Sequence, residues 1–385
     1  MLVLYEGYFS GHLYNWKSFH IVDEKTGWAL EPGARGYVPT HNGLIETIIN
    51  SSGLRDDEYP LEKNKDISRI MFLGDSFLYD NAFRHQETYH YMTEFRLKRW
   101  GYKSEIINAS ANGYGTGQEY LYYANKGKAF KPDICILHIY VGNDIRDNAA
   151  GIYSQLTGDP VPKPYFILNE RKDGLILKNY PYKGELAGSF IDELNKPISI
   201  FGYKPFRLFS LKVLRLHENL IHQIWKYKIS PIIRRKQENS LKQEKEILDR
   251  LFGPLFVENP SQYWVDALKI TEMLILKLKN EVENDGAAFG VVIIPTREQM
   301  EKSEENDHGL YTVDERLLSF LDKNDVKHLY LYPEFKKVHK IHAELYEGGV
   351  HWNSAGHSVA SFHVAKWLSS DFTIKKGKAE EWKWD

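Results

Sequence analysis

The chain has 385 residues, 42% hydrophobic and 26% charged, with a formal net charge of −2. That is ample for a large core in one or two domains, and no excess of positive charge points to nucleic acid or another polyanion as partner. A single cysteine, Cys135, excludes a disulfide within the chain and a cysteine-based zinc site; in the apolar run "DICILHIYV" it reads as a small buried hydrophobe.

Residues 1–66 are rich in Gly, Pro, Asn and aromatics, with short β-prone runs between turn signals such as Asn42-Gly43 and Ser52-Gly53. They form a small β-rich lead-in. The first twenty residues lack a basic region followed by a long apolar one, so no signal peptide is expected. No window approaches the ~18 apolar residues of a spanning helix. The chain as it stands reads as cytoplasmic by default, or extracytoplasmic if a signal or anchor lies upstream, so the compartment stays open.

From Ile67 the pattern alternates. "SRIMFLG" is a strand, "QETYHYMTEFRLKRWG" a helix, "SEIINAS" a strand, "GQEYLYYANKGKAF" a helix and "DICILHIYV" a strand buried on both faces. After a break come the helix "WVDALKITEMLILKLKNEVENDG", the strands "FGVVIIPT" and "VKHLYLYP", and the closing helix "SAGHSVASFHVAKWLSS". Strands alternating with helices predict an α/β fold with a mostly parallel sheet covered on both faces. The expected division is 67–150 and 259–385 for this α/β domain, with 151–258 as an inserted loop and helical subdomain. From Arg207 to Lys236 that insertion has Glu218 as its lone acid among many Lys and Arg. A packed helix with a solvated basic face is the plain reading. A lid over the site, or peripheral contact with anionic lipid, are the sharper ones.

Four segments carry chemistry, each after a strand or before the closing helix. Gly74-Asp75-Ser76 ends the first strand, where a serine can stand clear of the fold as a nucleophile; Asp75 supports the turn. Gly113, in "NASANGYGTG", lets the backbone offer an N–H to an anion. Asn143, in "YVGNDIRDN", brings an amide donor to the same edge. His351, in "GGVHWNSAGH", is a general base for Ser76. Taken singly, each has a plainer reading as a turn, a cap or a surface loop. Thr296, Arg297 and Gln299 follow a strand at this edge and read as substrate contacts or as a helix N-terminus. His357 packs or bonds within the last helix. Asp144 and Asp147 read as loop features, so no metal is expected.

"GDSF", "NASANG", "GND" and "VHWNSAGH" resemble the four blocks of the SGNH (GDSL-type) hydrolase superfamily, over roughly residues 67–145 and 286–370. The resemblance implies a three-layer α/β/α sandwich of flavodoxin-like character, with no cofactor. It implies Ser76 as nucleophile, His351 as base, and an oxyanion hole of the Ser76 and Gly113 N–H groups with the Asn143 side chain. The lead-in resembles that of bacterial SGNH proteins found beside surface-polysaccharide genes. The His351-Trp352 pair looks like the branch involved in exopolysaccharide O-acetylation, which puts Trp352 with the substrate contacts. One feature departs: the triad acid, expected two or three residues before the histidine, is replaced by Gly348 and Gly349. Either Glu347 takes its place, or a carbonyl orients His351 in a Ser–His dyad, or the site is inactive. The expected function is a serine esterase acting on an O-acyl, chiefly O-acetyl, ester of a saccharide or small molecule. The alternatives are an impaired glycan- or acyl-binding protein, a polysaccharide O-acetyltransferase and a lipase.

Overall fold

The computed structural model describes residues 19–40, 42–157, 160–185, 260–301, 312–341, 344–346 and 350–377. The lead-in is two antiparallel hairpins, β1 (His20–Asp23) with β2 (Gly27–Leu30), and β3 (Arg35–Thr40) with β4 (Gly43–Ile48). The second turns at the expected Asn42-Gly43. The body is a five-stranded, all-parallel sheet of β5 (Ser68–Gly74), β6 (Ser104–Ser110), β7 (Ile134–Tyr140), β10 (Ala288–Ile294) and β11 (Lys327–Tyr330), in the order β11-β10-β7-β5-β6. Between β7 and β10 in sequence, β8 (Tyr165–Leu168) and β9 (Leu175–Lys178) pair as a separate hairpin.

Alternation along the strands builds two cores. Met71, Leu73, Ile107, Leu137, Ile139, Val291 and Ile293 face one side, under α3 (Thr116–Asn125), α6 (Gln262–Asn284) and α8 (Thr312–Lys323). Ile70, Phe72, Ile106, Ile136, Val292 and Ile294 face the other. There they lie under α1 (Ser76–Tyr79), α2 (Tyr89–Arg99), α9 (Tyr332–Ile341) and α10 (Ser354–Asp371). This is the expected α/β/α sandwich. Two short helices, α4 (Asp144–Asn148) and α5 (Ala150–Thr157), follow β7, and α7 (Arg297–Glu301) follows β10. Cys135 is buried in the sheet as read.

Numbered within the sheet, the strand order is 2-1-3-4-5, so chain progression reverses between β5 and β7. Loops leaving the carboxyl ends of those two strands diverge and open a crevice. The edge strand β6 does not expose all its polar groups. Asp56 Oδ2 accepts the Asn108 N–H at 2.6 Å, Glu94 Oε2 accepts that of Ile106 at 2.5 Å, and the Tyr59 hydroxyl donates to Ile106 O at 3.0 Å. Side chains here do the work of a missing neighbour strand.

Two expectations change. The run "VKHLYLYP" is a strand only to Tyr330; α9 starts at Tyr332, with Pro333 in its first turn, where a missing N–H costs nothing. Asp144 and Asp147 belong to α4 rather than a loop, and Asp144 Oδ2 accepts the Tyr140 N–H at 2.7 Å. Among the described residues Tyr79, Tyr89, Tyr114, Tyr123, Trp352 and Trp367 are all buried, as in an ordinary aromatic core. Most of the 151–258 insertion, including the basic stretch 207–236, lies outside the described residues. None of the described helices is long and apolar enough to cross a membrane.

Candidate active site

The crevice between β5 and β7 holds the expected nucleophile. β5 runs into Asp75, the N-cap of the one-turn helix α1, whose Oδ1 accepts the Phe77 N–H at 2.9 Å. This cap turns the chain sharply and leaves Ser76 half-exposed at the helix start, with Phe77, Leu78 and Tyr79 buried behind it. A four-residue helix cannot sustain itself. It is held from outside by Arg55, which is 2% exposed. The Arg55 guanidinium donates to the carbonyls of Tyr79 and Asp80, each at 2.9 Å, and of Phe83 at 2.5 Å. These are the orphan carbonyls that a helix leaves at its C-terminal end.

His351 Nε2 lies 2.8 Å from Ser76 Oγ, and its ring packs on Phe77 with centroids 5.2 Å apart. The segment before α10 is fastened by its own residues. Asn353 caps α10, its Oδ1 accepting the Gly356 N–H at 3.0 Å, while its Nδ2 donates to Glu344 O at 2.6 Å and its backbone N–H to Leu345 O at 3.0 Å. Tyr346 and Trp352 form an antiparallel bridge. A side chain at 356 would set its Cβ 2.3 Å from Leu345 O, so glycine is required there. The "HWNSAG" spacing is thus a cap motif that sets His351 two residues ahead of the helix's N-cap, Asn353.

Asn143 Nδ2 donates to Asp75 Oδ2 at 3.0 Å, tying the end of β7 to the nucleophile turn. Burial raises the Asp75 carboxyl above its usual range, against the Phe77 and Asn143 hydrogen bonds and the charge on His351. Gly113 follows β6 at the same sheet edge with φ +71°, a conformation that disfavours side chains. Its loop is gripped by the lead-in: Trp28 Nε1 donates to Asn112 O at 2.9 Å, and the Tyr114 hydroxyl donates to Trp28 O at 2.6 Å.

Ser76, Asp75, Asn143 and His351 therefore come together, with Gly113 at the same edge. Glu347, Gly348 and Gly349 lie outside the described residues. Three substrate contacts are corrected. Thr296 and Gln299 are buried and satisfy each other, Thr296 N–H donating to Gln299 Oε1 at 2.6 Å and Gln299 N–H to Thr296 Oγ1 at 3.3 Å, which is a capping box for α7. Gln299 also donates to Asp314. Trp352, 1% exposed, packs among Phe77, Tyr89, Phe335 and His357 and is core. Arg297 is half-buried in the first turn of α7. His357 bonds outside its own helix, to Asp80. Arg55 and Trp28 escape sequence reading, because a side chain that holds distant carbonyls leaves no periodic signal.

Asp56, His85 and His90 bring three potential ligand atoms within 4.8 Å of one another. The surroundings set the protons. Asn108 Oδ1 accepts from Ser110 Oγ at 2.6 Å, so its Nδ2 faces Leu78 O at 3.0 Å and His90 Nδ1 at 3.1 Å. His90 Nδ1 is then an acceptor, and Nε2 carries the hydrogen toward Asp56, 3.5 Å away. A protonated Nε2 is a donor and has no lone pair for a metal.

No family model matches the chain, and no curated protein does. Among solved structures, the chain is similar to an acetyl xylan esterase at 12% identity and TM-score 0.38, covering 78% of this chain and 98% of that one. A catalytic mutant of an acetylxylan esterase from Geobacillus stearothermophilus matches at 11% identity and TM-score 0.39, covering 80% and 95%. A protein assigned to the lipolytic G-D-S-L family, from Desulfitobacterium hafniense, matches at 9% identity and TM-score 0.37, covering 78% and 99%. The superpositions are loose, and the fold class is carried by the parallel sheet itself.

Proposed function

We propose that the chain is a serine carboxylic-ester hydrolase of the SGNH type. The observation that carries this reading is the 2.8 Å contact between Ser76 Oγ and His351 Nε2 at the point where the strand order reverses. Ser76 donates its proton to His351 Nε2 as Oγ attacks the ester carbonyl. The developing oxyanion is met by the N–H groups of Ser76 and Gly113 and by the Asn143 N–H that does not serve Asp75. His351 passes the proton to the departing alkoxide. Water then enters and gives a proton to His351 as its oxygen attacks the acyl carbon; the Oγ–C bond breaks, His351 returns the proton to Ser76 Oγ, and the acid leaves. An O-acetylated saccharide or small ester is the substrate class we favour, on the resemblance of the lead-in to polysaccharide-associated SGNH proteins.

The glycines at 348 and 349 favour a second reading, in which the site binds glycan or acyl groups without turnover. A fluorophosphonate probe read by intact mass separates the two. One adduct on the wild type that disappears in Ser76→Ala and His351→Ala supports the hydrolase. No adduct on folded wild-type protein would sink it and leave the binding reading. Hydrolysis of acetyl esters against longer acyl chains, with and without a sugar acceptor, then sorts esterase, lipase and acetyltransferase.

A further inference from the structure

The Ser76–His351 contact has a companion. His357 Nε2 lies 3.0 Å from Asp80 Oδ2, and both side chains are buried. The two contacts join the same two segments. Ser76 begins α1 and Asp80 caps its end, with the Asp80 N–H donating to Ser76 O at 3.0 Å. His351 precedes α10 and His357 lies in its first turn, with the His357 N–H donating to Asn353 O at 3.0 Å. Asp80 thus sits one helical turn, about 6 Å of rise, behind the nucleophile. Phe77 and Trp352 fill the space between the rungs, with ring centroids 5.0 Å apart, and Phe83 closes over His357 at 4.7 Å.

We propose that the Asp80–His357 pair is the positioning and counter-charge element for His351, serving in place of the carboxylate absent at Gly348 and Gly349. This rests on the hydrolase reading above. When Ser76 Oγ loses its proton, His351 becomes an imidazolium, and a buried anion nearby favours that state. Two carboxyls feel the charge on His351, and their surroundings separate them. Both oxygens of Asp75 are already engaged, Oδ1 by the Phe77 N–H and Oδ2 by Asn143 Nδ2, and burial raises its carboxyl. Burial would raise Asp80 too, but the His357 hydrogen bond and the charges on His357 and His351 bring it below the usual carboxylate range. The charged groups that face Asp80 are His357, His351 and Arg55. Arg55 spends its hydrogen bonds on carbonyls, so it weakens the field of Asp80 without sharing its proton acceptor.

The test needs no known substrate. The rate of Ser76 modification by a fluorophosphonate is followed from pH 5 to 9 in wild type, Asp80→Asn, His357→Gln and Glu347→Gln, each checked for fold by circular dichroism. Asp80→Asn keeps an acceptor for His357 and removes the charge. It is expected to react roughly 10- to 100-fold more slowly. Its rising limb should move to lower pH by roughly half a unit or more, because losing a nearby anion makes His351 easier to deprotonate. His357→Gln keeps the Asp80 charge and removes its compensating partner, so its limb must not move to lower pH. An unchanged limb in Asp80→Asn would overturn the counter-charge role, even where the rate falls, since a purely structural defect slows the reaction without moving the limb. A limb that moves in Glu347→Gln and not in Asp80→Asn would assign the role to Glu347. Should Asp80→Asn lose the fold, Asp80→Ser, which also removes the charge, carries the test, and its limb must move to lower pH in the same way. Failure of the wild type itself to react defeats the hydrolase reading, and this pair with it; failure confined to the comparison of variants defeats only the pair.

Discussion

At the scale of single residues, the proposed function asks two tasks of Asn143. Its carboxamide has two N–H bonds; one holds Asp75 at 3.0 Å, and in the proposed reaction the other meets the oxyanion. Asn143→Ala removes both. The expected result is a loss of roughly 10²- to 10³-fold in the maximal rate of ester hydrolysis or probe modification, with little change in thermal stability. A loss under threefold, measured under saturating conditions, would remove Asn143 from the oxyanion site. The segments that bear Ser76, Asn143 and His351 were legible in the sequence because each sits at a definable place, the carboxyl end of a strand or the approach to the closing helix. In sequence, Thr296 and Gln299 read as either substrate contacts or a helix N-terminus, and Trp352 as a substrate contact, for the opposite reason. A polar or aromatic type next to a site does not reveal its partner, and here the partners are a helix N-terminus and a neighbouring core ring.

At the scale of elements, β5, β6, β7 and β10 were readable as apolar runs and α10 as a closing helix, since each buries a periodic face. The helix α1 was not readable, because four residues carry no period. Its stability comes from Arg55, 21 residues earlier in the chain, through three carbonyl hydrogen bonds. Arg55→Met keeps much of the bulk and strands those carbonyls in a buried place. The expected cost is at least about 3 kcal/mol in urea unfolding. Any folded fraction should also react slowly at Ser76, because the turn that presents the hydroxyl is loosened. A midpoint within error of wild type would show that solvent or another donor satisfies these carbonyls. Gly113 and Gly356 belong to this scale as well. Each was visible as a glycine after a strand or before a helix, but only the fold tells a positive φ at one from a backbone clash at the other.

At the scale of the whole molecule, the distribution of buried charge sets how stability varies with pH. Four histidines are pushed down by loss of solvent, the half-buried His20 and His85 to about 4 and the buried His90 and His138 to about 3. For His138 the hydrogen bonds agree with a neutral ring: Nδ1–H donates to Leu73 O at 3.1 Å, and Nε2 accepts from the Tyr89 hydroxyl at 3.0 Å. A histidine depressed in the fold costs stability as pH falls below its ordinary value near 6.5, and contributes no slope above it. Above pH 6.5 the buried carboxyls take over. Glu119 is held well above its ordinary value by burial and by Asp75, against the pull of Lys163, and neither of its oxygens has a hydrogen-bond partner. A carboxyl raised in the fold keeps its proton while the unfolded chain has lost it. Stability therefore falls with rising pH, from the unfolded value of Glu119 up to its folded one, by as much as about 1.4 kcal/mol per pH unit. Lys163, lowered by burial, acts in the opposite direction as pH approaches its own folded value. Comparison with Glu119→Gln isolates the carboxyl, because glutamine keeps the shape and has no proton to lose in this range. The melting temperature of the wild type should drop more steeply between pH 6.5 and 8.5 than that of Glu119→Gln, and the variant should be the more stable protein at pH 8.5. Parallel curves would mean that Glu119 ionises in the fold with a partner supplied by solvent, and that its surroundings are wetter than its burial indicates.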